Sequence, residues 1–214
     1  MVRRWYGGTD AERLRVRSHC YSLPHAILAT ATKDGLLQRN PRHIERVMST
    51  PRKREPIILS VSEVAKLADV IAPQRFKALI VLSAWRGLRW GEAIELRRKD
   101  LSDDCVTLTV SRGVTRGSDG YHVSTTKSGK ARSVVLPPHI RADVKHHLDV
   151  YAAKDANALL FPDNAGKHLS DTVFRRNYFH PVAKAIGREG LWVHDLRHFH
   201  GCQIAASGPS ASRW

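Results

Sequence analysis

The chain has 214 residues, with 35 Lys and Arg against 20 Asp and Glu, so its formal net charge is +15 with the histidines neutral. Hydrophobic residues make up 42% of it, which is enough for a folded core and too many for wholesale disorder. The longest strongly apolar run, residues 78–85, is far shorter than the roughly 20 residues of a membrane helix. The excess positive charge therefore favours a polyanionic partner, and nucleic acid is the first candidate.

The cysteines and the N-terminus bear on the compartment. Cys20, Cys105 and Cys202 are far apart and form no CxxC pair, so neither a disulfide framework nor a zinc ribbon is indicated. The N-terminus has no apolar stretch of the kind found in secretory signals. Both features fit a reducing cytoplasm, and the charge suggests association with the nucleoid there.

The N-terminal part is predicted to be helical. Apolar residues recur at roughly helical spacing within residues 10–48, and residues 49–56 are polar, basic and rich in proline, which is typical of a linker. A new unit starts at Ser60, which forms a predicted capping box with Glu63. The predicted organisation is a partial helical domain over 1–48, a linker over 49–56 and a second domain over 57–214.

Within the second domain the hydrophobic period changes twice. It is helical up to about residue 96, becomes two over 106–136, and is helical again afterwards. The fold class predicted is mainly α with a small three-stranded antiparallel sheet, an α+β arrangement. The predicted strands are 106–110, 121–126 and 132–136, and the predicted helices start near Ser60, Gln74 and Trp90 and then cover 139–153, 171–178, 181–186 and 194–207.

Three short motifs carry residues suited to chemistry: Gly87-Leu88-Arg89-Trp90-Gly91-Glu92, Thr126-Lys127-Ser128-Gly129-Lys130 and His194-Asp195-Leu196-Arg197-His198. The first two, taken singly, also fit a plain helix corner and a solvated turn. In the third, the spacing of three and four residues places His194, Arg197 and His198 on one helical face.

Together the three motifs resemble the tyrosine recombinase, or phage integrase, family over about residues 57–205. Residues 10–48 resemble the end of that family's helical core-binding domain. The resemblance implies site-specific breakage and rejoining of double-stranded DNA through a 3′-phosphotyrosyl intermediate, with no metal and no cofactor. It also implies that other recombinase protomers assemble with the chain on DNA.

The resemblance assigns a role to each motif residue. Arg89 and Arg197 match the two arginines that bind the non-bridging oxygens of the phosphate, a task that suits the planar, permanently charged guanidinium group. Lys127 matches the general acid, although Lys130 fits almost as well because turns align loosely. His194 matches a histidine that positions the phosphate and handles protons. Glu92 matches an acidic residue that orients Arg89, and His198 a supporting position.

The nucleophile is the residue that does not match. The family places its tyrosine after the His-x-x-Arg helix, whereas the five tyrosines here, at positions 6, 21, 121, 151 and 178, all precede Arg197. We therefore expect a chain truncated at both ends and inactive in cis, unless a partner protomer donates a tyrosine. The alternatives are a non-catalytic DNA-binding remnant or regulator of an intact recombinase, an inert product of a decayed gene, and, less favoured, a metalloprotease with His194 and His198 as ligands.

Overall fold

The computed structural model of the chain describes residues 14–41, 54–126 and 129–207. Its contacts divide the chain into two compact units, Met1–Glu55 and Pro56–Trp214. In the first unit, helix α1 (Leu14–Lys33) buries Tyr21, and the ring of Tyr21 lies 5.8 Å from that of His25. Helix α1 accounts for the first part of the predicted helical segment. The rest of that segment beyond residue 41, and most of the predicted linker, lie outside the described residues.

The second unit opens with the predicted capping box. The Glu63 amide donates to Ser60 Oγ at 3.2 Å, and the Ser60 amide donates to Glu63 Oε2 at 2.7 Å. Two of the otherwise unpaired donors at the start of helix α2 (Val61–Val70) are satisfied in this way. The carboxylate of Glu63 also accepts from Arg188 Nε at 2.5 Å, and this hydrogen bond, helped by the one from the Ser60 amide, lowers the pKa of Glu63 to about 2.

Helix α3 (Lys77–Arg86) is the central helix of this unit. Every residue from Ala78 to Ala84 is buried, as expected for a helix that is covered on all sides. It follows a 3₁₀ turn (Gln74–Phe76) and ends at Gly87, whose φ of +57° is the left-handed conformation that glycine adopts without strain. The predicted second helix and its stop at Gly87 therefore match the structure.

The predicted three-stranded sheet is wrong in its strand count. Among the described residues, four strands form two antiparallel pairs, in which the first strand pairs with the fourth and the second with the third. Their pairing registers run from Thr107↔Val135 to Val110↔Arg132 and from Arg112↔Thr125 to Arg116↔Tyr121. The strands are β1 (Thr107–Val110), β2 (Arg112–Arg116), β3 (Tyr121–Thr125) and β4 (Arg132–Val135).

The strand count differs because extra residues, here called the 126–131 excursion, interrupt one side of what is otherwise a long hairpin. Only Ser111 separates β1 from β2, whereas residues 126–131 separate β3 from β4. The extra residues break the ladder, in the manner of a large bulge. Strand β2 escaped prediction because only Val114 is buried within it, so the sequence shows no apolar alternation there.

The remaining helices complete the core. The last described helix, α8 (Val193–Ala206), packs on α3, and the rings of Phe199 and Trp85 lie 5.2 Å apart in that contact. Elsewhere in the core, Phe76 meets Phe174 edge-on at 5.1 Å. The predicted class, mainly α with small antiparallel β structure, is confirmed, and no described helix is long and apolar enough to cross a membrane. These helices are α4 (Trp90–Glu95), α5 (Pro138–Val150), α6 (Asp171–Phe174), a π-helical turn (Arg175–Phe179), α7 (His180–Ala185) and α8 (Val193–Ala206).

Candidate active site

The turn between α3 and α4 positions Arg89. Gly87 reverses the chain, and two residues later Arg89, with extended backbone dihedrals, becomes the N-cap of α4. The turn lies against α8, because a Cβ built on Gly87 would come within 2.4 Å of the His200 ring. Any side chain at position 87 would therefore meet both a strained backbone and an occupied space.

Glu92 holds Arg89 through both its backbone amide and its guanidinium group. Its side chain is buried, with 3% of its surface exposed. Oε2 accepts from the Arg89 amide at 3.0 Å and from Arg132 Nη2 at 2.7 Å, while Oε1 accepts from Arg89 Nη1 at 3.0 Å and from Arg132 Nη1 at 3.2 Å. Burial by itself would raise the pKa of Glu92, but hydrogen bonds from Arg132 and Arg89 hold it below its ordinary value. The carboxylate is therefore charged and bridges two guanidinium groups.

Helix α8 supplies the third predicted motif. The Trp192 amide donates to Asp195 Oδ2 at 2.9 Å across the first turn, and Leu196 and Phe199 are fully buried. That packing turns the opposite side of the helix outward, as the spacing predicted. His194 and His198 are exposed there, with their rings perpendicular and 5.0 Å apart.

Arg197 links α8 to the turn between α3 and α4 that carries Arg89. Its Nη1 donates to the carbonyl oxygen of Gly87, the residue that ends α3. Burial lowers the pKa of Arg197, and the positive charge of Arg89 lowers it further, although an arginine stays protonated at any physiological pH. The two arginines of the first and third motifs are therefore brought to one place, although 108 positions separate them in the sequence.

These groups surround a cavity of about 740 Å³. Four arginines and three histidines line it, and its described lining includes neither Asp nor Glu. Burial lowers the pKa of His194, with a further effect from His198, and burial and then Arg86 lower that of His200. The cavity thus disfavours additional positive charge and is suited to an anion. The basic lining residues are Arg86, Arg89, Arg132, Arg197, His194, His198 and His200.

Of the predicted lysines, Lys130 is described, and it does not line the cavity. Lys127 lies outside the described residues, and Lys130 is exposed at the tip of the 126–131 excursion. The tip is closed by two bonds, from Thr126 Oγ1 to the Lys130 carbonyl and from the Gly129 amide to the Thr126 carbonyl, each 2.7 Å long. The choice between the two lysines stays a prediction.

Three cavity residues escaped the sequence argument: Arg86, Arg132 and His200. Each reaches the cavity through packing between distant segments, so no local spacing marked it among the 35 Lys and Arg and the 12 His. Arg86 donates to the Val135 carbonyl at 2.8 Å, and its Nε is buried with no hydrogen-bond partner in the described structure. Its position directly before Gly87 was the one available signal.

Comparison with known proteins agrees with the resemblance that the three motifs suggested. The model of the phage integrase family matches residues 58–212. The chain belongs to the phage integrase family.

Among its relatives are the integrase assigned to prophage phiRv2 of Mycobacterium tuberculosis, 36% identical over 96% of this chain, and the integrase of Mycobacterium phage D29, 34% identical over 100% of this chain. The chain spans 55% and 57% of the length of these two integrases.

Solved structures agree on the fold. The Tn1549 transposon integrase in complex with a circular intermediate DNA superposes with a TM-score of 0.72 at 19% identity, covering 97% of this chain and 71% of that one. A λ integrase dimer bound to a core site gives 0.62 at 16% identity, covering 96% and 72%. At these identities the likeness concerns the fold, which is that of integrase catalytic domains.

The metalloprotease alternative gains no support from the geometry. Across the described ranges, no three His, Cys, Asp or Glu side chains are arranged to hold a metal ion. The two histidines of the third motif instead share their face with Arg197, whose charge would repel a cation.

Proposed function

We propose that the chain binds double-stranded DNA and holds one backbone phosphate in the cavity, as the phosphate-binding part of a site-specific recombinase or integrase. The observation that carries this proposal is the convergence of Arg89 and Arg197, from segments far apart in sequence, on a cavity lined by further basic side chains. A protein with this partner acts where the DNA is, and we place it in the cytoplasm in association with the nucleoid. Other recombinase protomers on the same DNA are part of the proposal.

The chemistry suits phosphoryl transfer. Attack on a phosphodiester adds negative charge to the non-bridging oxygens, and two fixed guanidinium groups offer paired donors to those oxygens. Glu92 holds Arg89 by its backbone and its side chain, so little rearrangement is needed when the charge develops. We assign proton handling to His194 and departure of the 5′-oxygen to Lys127 as general acid. His198 supports the His194 ring from the next turn of α8.

In this proposal none of the chain's five tyrosines is the nucleophile, which another protomer would supply. Tyr21, Tyr121, Tyr151 and Tyr178 are described, and none of them lines the cavity. Tyr178 instead packs on Phe76, with the ring centroids 4.9 Å apart. We therefore propose that the 214 residues bind DNA without cutting it on their own, which also covers the alternative of a non-catalytic regulator.

Binding tests the first part of the proposal. Fluorescence anisotropy of a labelled 30-base-pair duplex of mixed sequence is measured with the chain from about 50 to 200 mM salt. The affinity is expected to fall by roughly 10³-fold or more if several phosphates are contacted. Arg89→Ala and Arg197→Ala are each expected to weaken binding about tenfold. Lys154→Ala, which removes the same charge from an exposed site outside the cavity lining, serves as the charge-matched control.

The result that contradicts the proposal is equal weakening by all three substitutions, because the cavity would then contribute no more than general charge.

A cleavage assay tests the second part of the proposal, that the chain does not cut DNA on its own. A nicked duplex incubated with the chain is separated under denaturing conditions, and no protein–DNA adduct is expected. A covalent adduct would overturn that part, and mass spectrometry of the adduct would identify the tyrosine.

A further inference from the structure

We propose that Arg132 is a positioning residue of the site: it acts through Glu92 to hold the Arg89 guanidinium toward the phosphate. The inference rests on the proposed function, because it assumes that Arg89 binds a phosphate. Arg132 belongs to none of the three sequence motifs. Its contacts with Glu92 nevertheless outnumber those of any other side chain described around that carboxylate.

The geometry divides the Glu92 carboxylate between the two arginines. Arg132 takes both oxygens through its two terminal nitrogens, at 2.7 and 3.2 Å, whereas the Arg89 side chain makes one bond, from Nη1 at 3.0 Å. The Arg89 side chain has no other hydrogen-bond partner in the described structure, and 41% of its surface is exposed. Its Nε and Nη2 groups are therefore available to bind an anion.

Removing Arg132 would change that division. A buried carboxylate that loses a two-point partner either draws the remaining cation closer or takes up a proton, because an uncompensated buried charge is costly. If Glu92 drew Arg89 closer, Arg89 would be turned away from the phosphate. If Glu92 were protonated, Arg89 would lose part of its fixation. Both outcomes weaken phosphate binding by Arg89.

The position of Arg132 also joins two parts of the site. It is the first residue of β4 and pairs with Val110 of β1, and in the sequence it follows residues 126–131, which include both candidate lysines. The ladder fixes its backbone, and its side chain reaches across to α4. Arg132 therefore connects the start of β4 to the helix that presents Arg89.

The chain contains a matched control for this arrangement. One turn further along α4, the buried Glu95 bridges Arg97 Nε at 2.8 Å and Arg112 Nε at 3.3 Å, and Arg112 also donates to Asp100 at 2.7 Å. Arg112 thus repeats the strand-to-helix ion pair of Arg132. It does not line the cavity, so its substitution reports the structural cost of such a pair alone.

The test is a double-mutant cycle on duplex binding by the whole chain, with the labelled duplex described above. Arg132→Lys keeps the positive charge but cannot bind both carboxylate oxygens in the same plane. It is expected to weaken binding about tenfold in the wild-type background, the effect of losing one charge-assisted hydrogen bond. It is expected to have no effect in the Arg89→Ala background. Arg112→Lys should leave the affinity unchanged in both backgrounds.

Equal weakening by Arg132→Lys in both backgrounds would overturn the proposal, since Arg132 would then act directly or through the fold. No weakening in either background would overturn it as well. The NMR signal of the Arg89 Nε–H group, assigned by its loss in Arg89→Ala, gives a readout that does not need DNA. It should shift in Arg132→Lys and stay in place in Arg112→Lys. An unshifted signal refutes the positioning role even if the proposed function itself fails through a lack of DNA binding.

Discussion

Gly91→Ala is a sharp test of how α4 is seated, because two effects of opposite sign compete there. Gly91 lies in the first turn of α4, between Arg89 and Glu92. A Cβ built on it would lie 2.2 Å from the carbonyl oxygen of Val114 on β2, whereas real Cβ atoms essentially never come closer than 3.0 Å to another heavy atom. The obstacle is backbone, so no side-chain rotation can relieve it.

The magnitude follows from the two terms. Alanine in place of glycine in a helix gains about 0.5–1 kcal/mol of stability, and less near a helix end. Relief of the clash requires α4 and β2 to separate by at least 3.0 − 2.2 = 0.8 Å, and overpacking of this kind costs about 1–3 kcal/mol. The clash therefore outweighs the propensity, and we expect a net loss of about 1–2 kcal/mol in the free energy of unfolding.

Urea unfolding followed by tryptophan fluorescence measures this loss. Gly201→Ala is the matched control, because Gly201 is also helical, on α8, and a Cβ there meets nothing within 4 Å. It should raise the free energy of unfolding by up to ~1 kcal/mol. If Gly91→Ala stabilised the chain as much as Gly201→Ala, the close packing of α4 on β2 would be refuted.

Four further predictions concern the site and the second unit. Where cleavage is measurable, Arg197→Ala should lower its rate at least ~10²-fold, as the loss of a donor to the developing negative charge does; an undiminished rate would contradict the assignment. Burial lowers the pKa of His194 and His200, so the unfolded chain takes up protons first. The free energy of unfolding should therefore decrease as the pH falls below about 6.5, and urea midpoints at pH 7.5 and 5.5 check the sign. Duplex binding at pH 6 should be accompanied by proton uptake, which calorimetry in two buffers of different ionisation enthalpy detects. Ser60→Ala should cost about 1 kcal/mol by removing the N-cap of α2, whereas an unchanged urea midpoint would show that the capping box contributes nothing.

The features that could be predicted from the sequence are those governed by local rules. The capping box at Ser60, the stop of α3 at Gly87 and the inward packing of Leu196 and Phe199 each depend on residues within one or two turns of each other. Helical spacing alone determines the face that His194 shares with Arg197. The mainly α class could be predicted for the same reason, since helical periodicity is a local property of the sequence.

The features that could not be predicted depend on register between distant segments. Residues 126–131 separate β3 from β4 in the sequence, and no turn residue among them indicates that the two strands pair with different partners. Arg132 consequently reaches α4 from a strand whose partner is β1, an arrangement that alternation of apolar residues does not specify. The same reasoning applies to His200, since its contact with Gly87 exists only once α8 has packed on α3.

Helix α4 shows how these local and distant features combine into one site. Its two buried glutamates, Glu92 and Glu95, are three residues apart and so lie on the same side of the helix. Each accepts from two arginines, but only the arginines of Glu92 line the cavity. The same ion-pair chemistry thus holds arginines outside the cavity at Glu95 and arginines of the cavity at Glu92, where under the proposed function it would orient a phosphate-binding group. Because the charge of Glu92 offsets part of the repulsion among the cavity arginines, those arginines can be held close together with donors still available to bind a phosphate.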